Sequence, residues 1–139
     1  DGPCMPALCA LAHQLGLDGV VRFLGARPYA ELPAFYRAGD LFVLSSRHEA
    51  QCIALLEAAA CGVPAVGTRV GVLPELEPHA ARGVPAGDSR ALADAVEEIL
   101  LDPGARSQMA LAARQVAGDF DVGACVERMR QIYGLLANK

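Results

Sequence analysis

The chain has 139 residues, enough for one small domain with a real core. Its composition, 53% hydrophobic and 20% charged, fits a globular protein with a well-buried interior. A formal net charge of −4 without any Lys/Arg cluster argues against a nucleic-acid surface or a basic membrane-binding stripe. No segment approaches the ~18 consecutive apolar residues of a membrane span.

The opening, Asp1-Gly-Pro-Cys4, has no basic stretch before an apolar core and does not read as a signal peptide. Asp1-Gly-Pro is turn chemistry with nothing before it to turn from. Met5 to Leu15 carries Leu8, Leu11, Ala12 and Leu15 at helical spacing, with Gly16 at a C-terminal cap. Val20-Val-Arg-Phe-Leu24 is a compact β-type run closed by Gly25. Ala30 to Ala38 predicts a second helix, with Leu32, Phe35 and Tyr36 on one side and Gly39-Asp40 as its stop.

Leu41 to Leu44 predicts a buried strand, and Cys52 to Cys61 a helix that is apolar nearly all round, interrupted only by Glu57. Gly62 and Pro64 end that helix, and Pro64 to Thr68 predicts a third strand. Gly71 to Pro78 reads as a loop and Gly83 to Ala86 as a short edge strand. Gly87-Asp-Ser then offers a cap for a helix with Leu92, Val96, Ile99 and Leu100 inward. Asp102 caps the next helix, with Pro103 at its first position and Met109, Ala112, Ala113 and Val116 inward. Gly118-Asp119 ends it, and a last helix carries Val122, Cys125, Val126, Met129, Ile132 and Tyr133. Strands that read as continuous apolar runs and alternate with helices imply an α/β fold with a parallel sheet covered on its faces.

Five cysteines, Cys4, Cys9, Cys52, Cys61 and Cys125, form no Cys-x-x-Cys pair and read as small hydrophobes in a reducing cytosol. His13, His48 and His79 have no metal-ligand spacing, so no metal site is expected.

The chemistry concentrates between Ser45 and Pro64. The loop from Ser45 to Cys52 leaves the carboxyl end of a parallel strand and enters a helix, the edge where open α/β sheets bind ligands. A helix start suits a phosphate or carboxylate. Glu49 lies on that loop and Glu57 about two turns into the helix, so both could face one ligand. A carboxylate in an apolar helix needs a partner. For Glu57 this is either the vicinal diol of a sugar, or a nearby arginine or backbone N–H. The loops Thr68 to Glu75 and Gly25 to Pro28 converge on the same edge. There Gly71 would admit a close backbone, Glu75 would bind hydroxyls or a base, and Arg47 would neutralise a phosphate. Each also has a plain reading, as turn glycine, solvated acid and exposed arginine. His48 reads as a surface histidine.

These residues resemble a family. Val21-Arg-Phe-Leu-Gly25, then Leu41-Phe-Val-Leu-Ser-Ser-x-x-Glu49, then seven residues, then Glu57-Ala-Ala-Ala-Cys-Gly-Val-Pro64, is similar to the retaining nucleotide-sugar glycosyltransferases of GT-B fold, glycosyltransferase family 4 or group 1. Gly71 to Glu75 is similar to that family's Gly-Gly-x-x-Glu loop, Gly87-Asp88 to its Pro-Gly-Asp, and Phe120 to Leu136 to its closing helix.

The resemblance implies the donor-binding half of such an enzyme. That half is a Rossmann-like sheet flanked by helices, spanning 1–139, with the sheet and donor loops in 1–88 and the C-terminal helices in 89–139. Asp1-Gly-Pro then matches the turn after the family domain's second strand, so the first two strands and the Arg and Lys that clamp the diphosphate are expected to be absent. In a 3-2-1-4-5-6 sheet those strands lie between Val20–Leu24 and Leu41–Leu44. The resemblance makes Glu49 the candidate catalytic residue, holding hydroxyls of the transferred sugar. Glu57 takes the ribose hydroxyls. Backbone N–H groups at Gln51, Cys52, Ile53, Gly71 and Val72 face the diphosphate, with Glu75 and Arg47 nearby.

The substrate implied is a nucleotide-diphosphate sugar on a UDP, GDP or ADP carrier, with no cofactor and no metal. A sugar or lipid-linked acceptor comes through a missing N-terminal domain. Nucleic acid is not a partner. The location implied is cytoplasmic, with peripheral membrane association of the full protein. The chain departs from the family pattern at Gln51 and Cys52, where Phe-Gly is usual, and at Val72, where a second glycine is usual. Two alternatives follow: a module that binds nucleotide or a partner without catalysis, and a GT-B sugar-nucleotide epimerase. The isolated chain is expected not to transfer sugar.

Overall fold

The computed structural model describes residues 2–137. Asp1 of the opening turn and the side chain of Leu136 in the closing helix lie outside the described residues. The chain divides into two compact units, one running to Leu32 and the other from Pro33 onward.

In the first unit, Met5 N–H donates to the Gly2 carbonyl at 3.0 Å and starts α1 (Met5–Gln14). The helix closes at the predicted glycine, with Gly16 N–H on His13 at 3.0 Å and Leu17 N–H on Ala12 at 2.9 Å. Its apolar stripe is not buried: Leu8, Leu11 and Leu15 are all exposed. The predicted strand Val20–Leu24 does not form. Its only β feature is an isolated parallel bridge between Asp18 and Val21, and Val20, Val21, Phe23 and Leu24 are exposed. The reason is physical. Apolar, β-branched composition makes a run suitable for a strand, but the strand itself is a ladder of hydrogen bonds and side-chain pairs with a neighbour. A short 3₁₀ turn (Tyr29–Glu31) then leads into α2 (Leu32–Ala38), so the second helix lies where the spacing predicts it.

The second unit holds the sheet: β1 (Phe42–Leu44), β2 (Ala65–Thr68) and β3 (Ala81–Val84), parallel and in the order β1-β2-β3. Phe42 pairs with Ala65 and Leu44 with Gly67, while Ala65 pairs with Ala81 and Thr68 with Val84. The connections carry α3 (Ile53–Ala60) and the short α4 (Leu73–Leu76), the latter inside the segment that reads as a loop. The strand β3 lies two residues before the edge strand predicted at Gly83–Ala86. Ala80 and Ala81 are buried, and Ala81 pairs with Ala65 in the ladder although alanine carries no β signal of its own. Then follow α5 (Ser89–Leu101), α6 (Pro103–Gly118) and α7 (Val122–Ala137).

Alternation along the strands sorts side chains into two cores. Leu44, Ala65 and Ala81 pack with Leu55 and Ala59 of α3, Leu73 and Leu76 of α4 and Ala113 of α6. Val66 and Val84 pack on the other face with Ala95 and Ile99 of α5 and Met109 of α6. The sheet is thus covered on both faces at β2 and β3, whereas β1, expected to be buried, leaves its central Val43 47% exposed at the sheet edge. The capping chemistry holds at the predicted positions. Asp88 accepts from Ala91 N–H and Asp102 from Ala105 N–H, each at 2.9 Å, and Pro103 opens α6.

Leu55 is completely buried between helix and sheet. Leu55→Ala is expected to lower unfolding stability by about 2–5 kcal/mol. Leu111→Ala, at a position 65% exposed on α6, is expected to stay within about 0.5 kcal/mol of the parent. Urea denaturation of the two variants makes the comparison.

Candidate functional site

Parallel register sends the loops after β1 and β2 to the same sheet edge. Thr68, the last residue of β2 and 3% exposed, donates its hydroxyl to the Ser46 carbonyl at 2.5 Å. Ser46 in turn donates its own hydroxyl to Glu49 Oε1 at 2.6 Å. Glu49 is therefore a half-buried carboxylate oriented by its own loop, which is itself tied to the next strand.

The loop then passes Gln51 and reaches Cys52, the single non-glycine with positive φ among the described residues (φ 69°, ψ 71°). Left-handed geometry is glycine's conformation, and a Cβ there costs about 1–2 kcal/mol. The backbone thus follows a glycine-like path although the residue is cysteine. Burial raises the Cys52 thiol above its ordinary pKa, the charge of Glu49 adds to this, and a backbone hydrogen bond opposes it. Cys52 also gives α3 no side-chain cap. By contrast α5, α6 and α7 each begin under an aspartate, Asp88, Asp102 and Asp121. The helix that starts at the glutamate loop has no such side-chain cap, and its Leu55 N–H turns back to the Cys52 carbonyl at 3.1 Å.

The second loop locks onto the first. Gly71 has φ 57°, and a Cβ there would lie 2.7 Å from the Gln51 carbonyl oxygen and 3.0 Å from Glu49 Cβ. Next to it, Val72 N–H donates to Gln51 O at 2.9 Å. This corrects one expectation: the Val72 N–H is spent on the loop–loop contact and is not free for a diphosphate. Val72 itself is buried in the core. Gly71 is required for close approach, as its residue type suggests, but the approaching group is protein backbone.

The helix α3 is not buried all round. Ile53 is 63% exposed, Ala60 is exposed and Glu57 is half-buried, so these three mark an open stripe on α3. A partner of Glu57 lies on a neighbouring helix. Tyr36 of α2 donates its hydroxyl to Glu57 Oε2 at 2.8 Å. Burial pushes the Tyr36 phenol far above its ordinary pKa, and the bond to Glu57 raises it further.

The other candidates spread out. Glu75 is exposed on α4. Arg47 lines a cleft with Ser45, Thr68, Gly87, Asp88, Ser89 and Leu92, beside the start of α5. His48 is exposed, and the loop Gly25–Pro28 belongs to the first unit. Arg69 is committed to Glu77 through bonds of 2.9 and 3.1 Å, and Glu77 also accepts from Gly83 N–H at 2.9 Å. An Asp-x-Asp triplet, a pattern associated with metal-bound phosphate, occurs at Asp119-Phe120-Asp121. It serves as a helix junction, with Asp119 ending α6 and Asp121 accepting from Ala124 N–H at 2.7 Å. Among the described residues, no three His, Cys, Asp or Glu side chains cluster as metal ligands, and no helix is long and apolar enough to cross a membrane.

Sequence reasoning missed Tyr36, Ser46 and Thr68. Ser46 carries a local signal, three residues before a glutamate on a tight loop. Tyr36 carries none, since 21 positions separate it from Glu57.

Known proteins resemble the chain over nearly its whole length. A family model described as glycosyl transferases group 1 matches residues 3–116. A D-inositol 3-phosphate glycosyltransferase of Corynebacterium diphtheriae is 37% identical over 126 residues, which make up 89% of this chain and 30% of that protein. One from Saccharomonospora viridis is 36% identical over 129 residues, 91% of this chain and 30% of that protein. The chain therefore spans about 30% of the length of the curated relatives it matches. Among solved structures, sucrose-phosphate synthase from Thermosynechococcus elongatus matches with a TM-score of 0.83 at 29% identity, over 95% of this chain and 34% of that one. Anabaena HepE in complex with UDP matches with a TM-score of 0.81 at 29% identity, over 97% of this chain and 37% of that one. The α/β fold implied by the motifs is borne out, with three parallel strands and helices on both faces.

The loop–loop contact makes a direct test. Gly71→Ala adds a Cβ against backbone at a left-handed residue and is expected to cost about 2–3 kcal/mol. Gly87→Ala, with φ 87° and nothing within 4 Å of the new atom, is expected to cost only about 1 kcal/mol. Thermal melts of both variants check the difference.

Proposed function

The chain belongs to the glycosyl transferases group 1, and we propose that it is the donor-nucleotide half of a longer enzyme. That enzyme transfers a sugar from a nucleotide-diphosphate donor to an acceptor hydroxyl with retention. The observation that carries this reading is the pair of hydroxyl-held carboxylates, Glu49 and Glu57, on either side of a helix start that no side chain caps.

Each part has a chemical task. The open start of α3 supplies backbone N–H groups and the positive end of a helix dipole for the diphosphate. Glu57 accepts the two ribose hydroxyls. Glu49 accepts hydroxyls of the transferred sugar and is the chain's candidate catalytic residue. The bond from the anomeric carbon to the diphosphate oxygen breaks while the acceptor oxygen bonds on the same face, and the acceptor's proton passes to the departing diphosphate. The rate enhancement comes from positioning and from stabilising the departing diphosphate. UDP is the favoured carrier, because a structural neighbour at 29% identity is seen with UDP and with UDP-glucose. The donor and the reducing environment that five free cysteines favour suit the cytoplasm.

The apolar surfaces left exposed on α1, along Val20–Leu24 and on α7 support a larger protein that covers them. The diphosphate clamp and the acceptor site are assigned to that remainder, and with it any contact to a membrane. A module that binds nucleotide without catalysis is the second reading, favoured by Gln51 and Cys52. The left-handed backbone at Cys52 weighs against it, since it preserves the path a glycine would take.

Calorimetric titration of the chain with UDP, GDP and ADP tests the binding half of this reading. Glu57→Ala is expected to remove charge-assisted hydrogen bonds of about 1.5–3 kcal/mol, a roughly tenfold to hundredfold weaker Kd. No binding of any nucleotide at millimolar concentration would refute the donor assignment. In a separate assay, the 139-residue chain supplied with nucleotide sugars is expected to show no turnover. Robust transfer by the isolated chain would overturn the assignment of clamp and acceptor site to a longer protein.

A further inference from the structure

Glu57 projects from α3, and Tyr36 from α2, on separate elements of the second unit. A glutamate on an open helix stripe has three rotatable bonds and visits several rotamers. Here one carboxylate oxygen, Oε2, is held at 2.8 Å by the Tyr36 hydroxyl. The tyrosine ring is itself held, tilted at 57° to Phe42 at the start of β1 with ring centroids 6.1 Å apart. The orientation of Glu57 is thus referred to the sheet through an aromatic contact and one hydrogen bond.

The stoichiometry suits a ligand. A phenol has one proton to give, and an ionised carboxylate has about four acceptor positions. One bond from Tyr36 leaves acceptor capacity on Glu57 for two further donors. Burial and the neighbouring carboxylate both favour the protonated phenol, so Tyr36 is a donor at neutral pH. The same pattern recurs at the other glutamate, where the Ser46 hydroxyl holds Glu49 Oε1.

We propose that Tyr36 is a positioning residue, which aims the Glu57 carboxylate so that it accepts both hydroxyls of the donor ribose. The proposal rests on the donor reading of Glu57 and adds a residue to it. Tyr36 acts through Glu57 and sets selectivity for the ribose diol, not the general affinity for a nucleotide diphosphate.

The test is a calorimetric comparison of UDP with 2′,3′-dideoxy-UDP on the full chain. The wild type is expected to prefer UDP. Tyr36→Phe keeps the ring against Phe42 and loses only the hydroxyl. It is expected to lose about fivefold of that preference, entirely through weaker UDP binding, with dideoxy-UDP affinity unchanged. Tyr36→Leu, titrated alongside, is expected to lose the same preference. In a Glu57→Gln background, Tyr36→Phe is expected to change nothing further. Full retention of the ribose preference in both Tyr36 variants, or equal weakening of both ligands, would overturn the proposal and leave the donor reading intact. A wild type that binds both ligands equally, or neither, would overturn the donor reading and this proposal with it.

Discussion

The contact between Gly71 and the Gln51 carbonyl governs the geometry of the whole candidate site. Two loops leave adjacent parallel strands, and nothing in a parallel ladder obliges them to touch. They touch because Gly71 has no Cβ and because the neighbouring Val72 N–H finds the Gln51 oxygen at 2.9 Å. With the second loop set, Val72, Leu73 and Leu76 drop into the core beneath α3. The first loop then has a firm wall behind it, and Cys52 must turn through a left-handed conformation to begin the helix.

Polar groups are distributed with the same economy. Most helices after the site start under an aspartate, which neutralises their open N–H groups and leaves no room for an anion. The helix α3 starts without one. Both glutamates are tethered by a hydroxyl, a donor that carries no charge. A lysine or arginine in that place would form an ion pair and neutralise the carboxylate's charge, which a hydroxyl leaves in place. Arg69, the arginine that begins the second loop, is drawn away by Glu77. That carboxylate also satisfies the edge-strand N–H of Gly83, so one side chain ties loop to sheet and covers part of a sheet edge.

The two units contrast in burial. The second has two apolar cores on the faces of one sheet. In the first, α1 forms with its C-terminal glycine cap in place and no side-chain cap at its start, but buries none of its residues. Local helix signals suffice to specify such an element, and burial depends on what lies against it. The same logic governs Val20–Leu24, whose residue types suit a strand and whose backbone lacks a ladder among the described residues.

What the sequence determined by itself is what depends on neighbours within about one helical turn. Gly16, Asp88, Asp102 and Pro103 mark their helix ends where they stand, and the apolar runs of β1 and β2 mark a parallel sheet. The spacing of Glu49 and Glu57 across a loop and a helix start was equally legible, since strand, loop and helix are consecutive. Tertiary structure alone decided the pairings between distant positions. Glu57 meets Tyr36 across 21 residues, Thr68 meets Ser46 across 22, and Val72 takes the Gln51 carbonyl instead of an anion. Tertiary structure also withheld a strand at Val20–Leu24 and placed one at Ala81–Val84. The reason is common to all of these: a hydrogen bond or a ladder is a property of two segments, and neither segment's composition names the other.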